Sequence, residues 1–147
     1  MSAGHPVPDH DHDEADRALR RHLATRGVQE FLARPATEDW SHHIPLTGST
    51  NKAGDKYYGD QGLPPGPLRR LVMVHERIEK ALREAGGVAF PRAHVLATAA
   101  EKIACKQLGV DWETYKHVIG LYVRHNEQHP RGNVPADLDR GQYKGEK

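Results

Sequence analysis

The chain has 147 residues, of which 37 % are hydrophobic and 28 % are charged, so it has room for one modest domain with a small core. Lys and Arg total 21 against 20 Asp and Glu, and this balance argues against a dedicated nucleic-acid-binding protein, which would present a strongly basic face. No apolar run is long enough to cross a membrane, and no secretory signal opens the chain. The single cysteine, Cys105, excludes an internal disulfide and is typical of a reducing compartment, so we expect a cytoplasmic protein.

Residues 1–13 combine Pro, Gly, His and Asp with almost no apolar content, which predicts a disordered arm. The alternating His and Asp residues at 10–13 could bind a metal weakly, although a solvated tail is the simpler interpretation. Residues 14–34 then predict an amphipathic helical segment, with Asp13 as its N-cap and an interruption at Gly27. We expect its apolar face to pack on the core or on a partner protein. That face consists of Ala15, Ala18, Leu19, His22 and Leu23.

Residues 36–66 change character and predict a β-hairpin. Ile44–Thr47 is the expected first strand, Asn51–Gly54 supplies the turn, and Lys56–Asp60 is the expected second strand. A lone hairpin is marginally stable in water, so it must lie against helices, where it could form one wall of a cleft. His42, His43 and Asp60 flank the two strands, either as exposed polar residues or as part of that cleft.

Three helices follow the hairpin. The first is expected from about Pro67 to Ala85, the second from about Pro91 to Leu108, and the third begins after Asp111 as N-cap. The sequence therefore predicts an α+β fold that is mostly α. In it, a β-hairpin packs on a three-helix core within one domain over residues 36–126, preceded by the N-terminal amphipathic helix. A polar tail over residues 127–147 is expected to be disordered or ordered by a partner.

Two polar residues lie on or beside the apolar stripe of each of the first two core helices. They are His75 and Glu79 on the first helix, and His94 and Glu101 on the second. A buried imidazole or carboxylate costs several kcal/mol unless it is paired or bound to a metal, so the four side chains indicate a shared polar centre.

The spacing of these residues is compatible with a metal site. Residues 75–79 read His-Glu-x-x-Glu, which places His75 and Glu79 on one helical face as the first and last residues of a His-Glu-x-x-His zinc motif would be. His94 is the best third ligand, and Glu101 is either a fourth ligand or a partner that orients His94. Glu76 occupies the position of the general base that would take a proton from water. We expect Zn²⁺ or another divalent metal here.

The competing interpretation is that the same four residues form a buried hydrogen-bonded network that fixes the two helices. Arg77, Lys80 and Arg83 are most simply the solvated face of the first of these helices. Cys105, with no visible base partner, is expected to be a small core residue.

Four segments occur in an order that resembles a family of small uncharacterised bacterial and phage-associated proteins. They are Lys56–Pro64 (KYYGDQGLP), Val74–Leu82 (VHERIEKAL), Ala93–Glu101 (AHVLATAAE) and Gly109–Tyr115 (GVDWETY). The resemblance covers roughly Ile44 to Tyr122 and implies a metal-dependent hydrolase with a phage or prophage association. The chain departs from the family at Gly59, where an aliphatic residue is usual.

Two functional hypotheses follow. The first is a divalent-metal-dependent hydrolase of a peptide or other amide bond. The second is a non-enzymatic structural or assembly protein of a phage, in which the His/Glu cluster is structural and the N-terminal helix and tails bind a protein partner. Under the second hypothesis, the expected location is either the cytoplasm or the virion.

Overall fold

A computed structural model describes residues 8–129 and 134–139 of the chain. Over these residues the fold is α+β and mostly α, as predicted. None of the helices in this part of the chain combines the length and apolarity that a membrane crossing requires. The helices are α1 (Pro8–Leu23), α2 (Arg26–Ala33), α3 (Pro67–Glu84), α4 (Phe90–Leu108) and α5 (Trp112–Gln128), and the strands are β1 (Thr37–His42), β2 (Gly48–Thr50) and β3 (Lys56–Asp60).

The N-terminal helix begins earlier than the sequence predicts. Because α1 starts at Pro8, Asp13 is inside the helix and is not its N-cap, and the predicted arm keeps only residues 1–7, which lie outside the described residues. The helical segment breaks before Thr25, the N-cap of α2, while Gly27 is helical. The apolar face of α1 is buried against α3 and α4, in a cluster of Ala15, Ala18, Leu19, Leu82, Ala93 and Leu96. This segment therefore shares the core of the domain.

The sheet has three strands in the order β1-β3-β2, with β1 parallel and β2 antiparallel to β3. The prediction of a strand at Ile44–Thr47 is wrong. The backbone N–H of Ile44 donates to the Asp60 carboxylate, and the Asn126 side-chain amide donates to the carbonyls of Ile44 and Leu46. Leu46 has a φ of 64°, which is incompatible with a strand. Side chains, and not a neighbouring strand, bind the backbone of this segment, which is therefore a loop. The turn at Asn51–Gly54 joins β2 to β3 instead.

Trp40 on β1 explains why residue 59 of β3 is glycine. A Cβ atom at Gly59 would lie 2.0 Å from Cζ3 of the Trp40 indole. The ring therefore lies directly on the backbone of β3, in the space that an aliphatic side chain would need. Glycine at position 59 therefore has a local structural reason, the neighbouring strand β1, which the sequence pattern did not predict.

The three core helices follow their predicted boundaries closely. Pro67 lies in the first turn of α3, and Gly109 adopts a left-handed φ of 72° at the end of α4. The Asp111 carboxylate accepts a hydrogen bond from the backbone of Thr114 and caps α5, as predicted. Both β2 and β3 pack on α3.

Residues 134–139 pack on the domain, so the prediction of a tail free of the domain is wrong for this segment. Leu138 pairs with Asn51 beside β2, and the backbone N–H of Asp139 donates to the Thr50 carbonyl at 2.7 Å. The Asp139 carboxylate lies 2.8 Å from Nζ of Lys80. The segment therefore extends the outer edge of β2 and brings an acidic side chain to α3. The rest of the predicted tail is either the end of α5 or outside the described residues.

Two of the three basic residues expected on a solvated face of α3 are not solvated. Lys80 is only 2 % exposed, with its ammonium between Asp139 and Glu84. Arg83 is partly buried near Asp139 and lies over the ring of Phe90. The C-terminal segment covers this side of the helix, so the prediction is wrong for Lys80 and Arg83. Arg77 is partly exposed, with its guanidinium over the Tyr57 ring.

Candidate metal centre

Three predicted ligands meet between α3 and α4. Oε2 of Glu79 lies 3.1 Å from Nε2 of His75 and 3.1 Å from Nδ1 of His94, so two imidazoles converge on one carboxylate oxygen. One ligating atom from each of His75, Glu79 and His94 lies within 4.8 Å of the others. These three residues can hold a metal ion. Among the described residues, they are the group of His, Cys, Asp and Glu side chains whose ligating atoms lie close enough together to do so.

The helices account for this convergence. His75 and Glu79 are four residues apart on α3, which stacks them on one face. His94 lies one turn after Pro91 at the start of α4, where the small residues Ala93 and Ala97 are fully buried and allow close helix packing. The His75 and His94 rings meet edge to face, with centroids 4.8 Å apart. His75 and Glu79 are nearly buried, whereas the side chain of His94 is 54 % exposed, so the group lies where the interior meets solvent.

Glu101 contacts His75 and not His94. Its Oε1 atom lies 2.9 Å from Nδ1 of His75, the ring nitrogen opposite the one that faces Glu79. The other oxygen of Glu101 accepts a hydrogen bond from the hydroxyl of Tyr115 on α5. Glu101 therefore orients the His75 ring and lies outside the three-residue group. The prediction that it would orient His94 named the right kind of role but the wrong imidazole.

The charges of the centre are balanced by its hydrogen bonds. Burial alone would lower the pKa of His75, but Glu101 and Glu79 raise it well above its usual value of 6.5. Burial alone would raise the pKa of Glu79, but hydrogen bonds from His75 and His94 lower it to about 2. His75 thus lies between two carboxyl groups, each facing one of its ring nitrogens.

Glu76 lies beside this centre without a hydrogen bond from any described residue. It is nearly buried and lines the same cavity as His75, Glu79 and His94. Burial, followed by the nearby charge of Glu79, raises the pKa of the Glu76 carboxyl well above its usual range. A carboxyl group in such surroundings is suited to exchange a proton with a molecule in the cavity.

The cavity has a volume of about 260 Å³. Apart from the polar centre, its walls come from the loop before β2, from α3, from the start of α4 and from α5. Gly48 at the start of β2 is required there, because a Cβ atom would lie 2.8 Å from Cγ1 of Val72 and 3.1 Å from Cγ of Glu76. The backbone of β2 is thus in direct contact with the candidate base.

Two functional features escaped the sequence reasoning. Tyr115 on α5 holds Glu101 on α4, and no spacing in the sequence links these two residues. His43 and Asp60 were left open, and the structure buries both, with Nδ1 of His43 2.9 Å from the Asp60 carboxylate. Asp60 also accepts hydrogen bonds from the backbone of Ile44 and Gly62, so it fixes the loop that leads to β2. His42 is partly exposed near Asp39.

Comparison with known proteins adds no further information on this site. No protein-family model, no curated protein and no solved structure matches the chain. The structure thus shows an α+β domain that brings His75, Glu79 and His94 together in a group that can hold a metal ion.

Proposed function

We propose that the protein binds one divalent metal ion through His75, Glu79 and His94 and hydrolyses an amide bond with Glu76 as general base. The observation that carries this proposal is the Glu76 carboxyl, which is nearly buried, has no hydrogen-bond donor among the described residues and lines the same cavity as the three ligating side chains. Its oxygens are open to the cavity, because they are not among the fully buried side-chain atoms that lack a partner in the described residues. A purely structural network has no need of a carboxyl group in that position.

Zn²⁺ is the metal that we expect. Two imidazole nitrogens and one carboxylate oxygen are a donor set that zinc accepts, and three protein ligands are typical of catalytic zinc sites, which keep one position open. Glu101 would hold the His75 ring through Nδ1, and Tyr115 would in turn hold Glu101.

The residues divide the reaction between them. A divalent ion held by this group would polarise the substrate carbonyl and lower the pKa of water beside it. Glu76 would take a proton from that water as its oxygen attacks the carbonyl carbon. When the C–N bond breaks, Glu76 would return the proton to the leaving nitrogen. The products are a carboxylic acid and an amine, and no redox step is required.

The first test is metal content. His5, His10 and His12 are replaced by Ser in every protein to remove adventitious binding at the N-terminus, and metal is measured by elemental analysis after exposure to Zn²⁺ and dialysis. We expect about one zinc per chain, and a lower melting temperature after chelation. His75→Ala should lose the metal, whereas His117→Ala, on an exposed position of α5, should retain it. A protein without bound zinc, whose melting temperature is unchanged by a chelator, would contradict the proposal.

The second test separates metal binding from catalysis. Glu76→Gln keeps the shape of the side chain but removes the base, so it should retain one zinc per chain and lose hydrolysis of a panel of N-acyl amides. If Glu76→Gln hydrolysed amides at the rate of the unaltered protein, Glu76 would not be the base.

A structural or protein-interaction module is the second candidate function. It is favoured by the closed contacts of His75, whose two ring nitrogens both face carboxylates. In this case a partner would contact the outer face of α4, where Val95 and Ile103 are exposed, since the apolar face of α1 is buried within the domain. Under this alternative zinc would have no effect on melting, and Glu79→Gln would destabilise the protein equally with and without a chelator. The phage association remains an expectation from the sequence resemblance.

A further inference from the structure

We propose that the cavity beside His75, Glu79 and His94, hereafter the metal group, receives the acyl part of the substrate. The cavity selects a short, apolar and uncharged acyl group over one that carries a negative charge. This inference rests on the proposed function and names the substrate class of the same site. Its basis is the size of the cavity, the character of its walls and the distribution of charge around it.

The cavity is small and one side of it is apolar. Its volume of about 260 Å³ is below the range that is usual for sites that enclose a whole drug-sized ligand. Five apolar side chains contribute to its walls, and they come from four different parts of the fold: Leu46, Val72, Phe90, Ile119 and Val123. The space therefore suits a short hydrocarbon group and cannot contain a folded chain or a long fatty acid.

The orientation of the substrate follows from exposure. The side chain of His94 is 54 % exposed and lines both this cavity and a broad outer groove between α1 and α4. Glu76 and Val72, by contrast, are buried. A scissile amide at the metal group would thus have its acyl side in the cavity and its amine side toward the groove and solvent. The structure accordingly restricts the acyl group far more than the amine.

The lining of the cavity disfavours an anionic acyl group. Its ionisable residues are three carboxyl groups and two imidazoles, namely Glu76, Glu79, Glu101, His75 and His94, with neither Lys nor Arg among the lining residues. A terminal carboxylate on the substrate would therefore lose its hydration against apolar walls without gaining a cationic partner. A neutral acyl chain would lose only water.

The test compares two metal-directed probes of equal length. Pentanohydroxamate has an apolar end, and the monohydroxamate of succinate has a carboxylate end. Binding of each probe to the zinc-loaded protein is measured by isothermal titration calorimetry. We expect the neutral probe to bind at least about 30-fold more tightly, which corresponds to a desolvation penalty of about 2 kcal/mol for the unpaired carboxylate. A hydroxamate with a long fatty chain should bind more weakly than pentanohydroxamate, because the chain exceeds the cavity.

A matched pair of variants tests the cause of the preference. Val123→Lys introduces an ammonium at the wall of the cavity and should reduce the preference to less than about fivefold by favouring the anionic probe. Leu121→Lys adds the same charge to α5 at an exposed position outside this cavity, and should leave the preference unchanged.

The outcomes are distinguishable. Equal affinity for the two short probes, or an equal effect of the two lysine variants, would overturn the inference on substrate class. If the protein retained zinc but bound neither probe, the inference would also fail while metal binding stood. If the protein retained no zinc, the proposed function itself would fail and this inference with it.

Discussion

Replacing Asp139 with Asn should destabilise the domain, because it removes the carboxylate that neutralises a buried lysine. Nζ of Lys80 lies 2.8 Å from Asp139, and Lys80 is 2 % exposed. Removing one partner of a buried ion pair typically costs about 3–5 kcal/mol, since the remaining charge stays out of water. Glu84 remains 3.3 Å from Nζ, but it is largely exposed. We therefore expect the lower end of that range, about 3 kcal/mol.

The assay is equilibrium denaturation with urea, supported by thermal melting. For a chain of this length a loss of about 3 kcal/mol corresponds to a decrease in melting temperature of about 9 °C. The double variant Lys80→Met with Asp139→Asn removes both charges of this pair and should recover most of the loss. The remainder reflects Arg83, whose guanidinium lies 3.7 Å from the Asp139 carboxylate and loses that partner in both variants. Glu113→Gln is the control, because its ion pair with Lys116 is exposed and should contribute less than about 0.5 kcal/mol.

The reasoning would be refuted if Asp139→Asn lay within about 0.5 kcal/mol of the unaltered protein. Such a result would mean that the Asp139 carboxylate does not stabilise the buried Lys80 ammonium when the protein is in solution. Equal instability of the single and double variants would also contradict it, because the cost would then come from lost contacts of the segment and not from an uncompensated charge.

Three further predictions concern the loop, the sheet and the thiol. Gly59→Ala should cost about 1–3 kcal/mol in urea denaturation, because its methyl group would overlap the Trp40 ring, and Trp40→Leu in the same chain should recover part of that loss. Asn126→Ala should cost about 1–2 kcal/mol, since it removes the donor to the buried carbonyl of Ile44 and to the partly buried carbonyl of Leu46, and faster amide hydrogen exchange in that loop would confirm the cause. Burial raises the pKa of the Cys105 thiol to about 11, so at pH 8 the thiol stays protonated and should react with a disulfide reagent only after denaturant is added; rapid reaction of the folded protein would contradict this.

The helices and the metal group were accessible from the sequence because their determinants are local. Pro67, Gly109 and Asp111 mark helix ends, and the periodicity of α3 and α4 orients the polar residues. His75, Glu79 and His94 therefore emerged as one group from their spacing alone. The partner of Glu101 did not, because rotation of one helix relative to another decides which imidazole it meets.

The sheet and the C-terminal segment depend on contacts between distant residues. Ile44–Thr47 has strand-favouring residues, yet its backbone is bound by the side chains of Asp60 and Asn126, which follow Ile44 by 16 and 82 residues. The segment at 134–139 is held by only two apolar side chains, the buried Leu138 and the half-buried Val134, within a tail that is otherwise mostly polar, so composition alone suggested a tail outside the domain. No local sequence pattern predicts such contacts.

The parallel pairing of β1 with β3 has a consequence for the order of folding. Parallel strands cannot be joined by a tight turn, so β1 pairs with β3 only across the intervening loop and β2, whereas β2 and β3 form a local hairpin. His75, Glu79 and His94 all come from α3 and α4, which are neighbours in sequence and are joined by a short loop. We expect these three side chains to come together early, with the helical hairpin, and the pairing of β1 with β3 to form late. The candidate metal centre and the outer strand that covers Gly59 would thus form at different stages of folding.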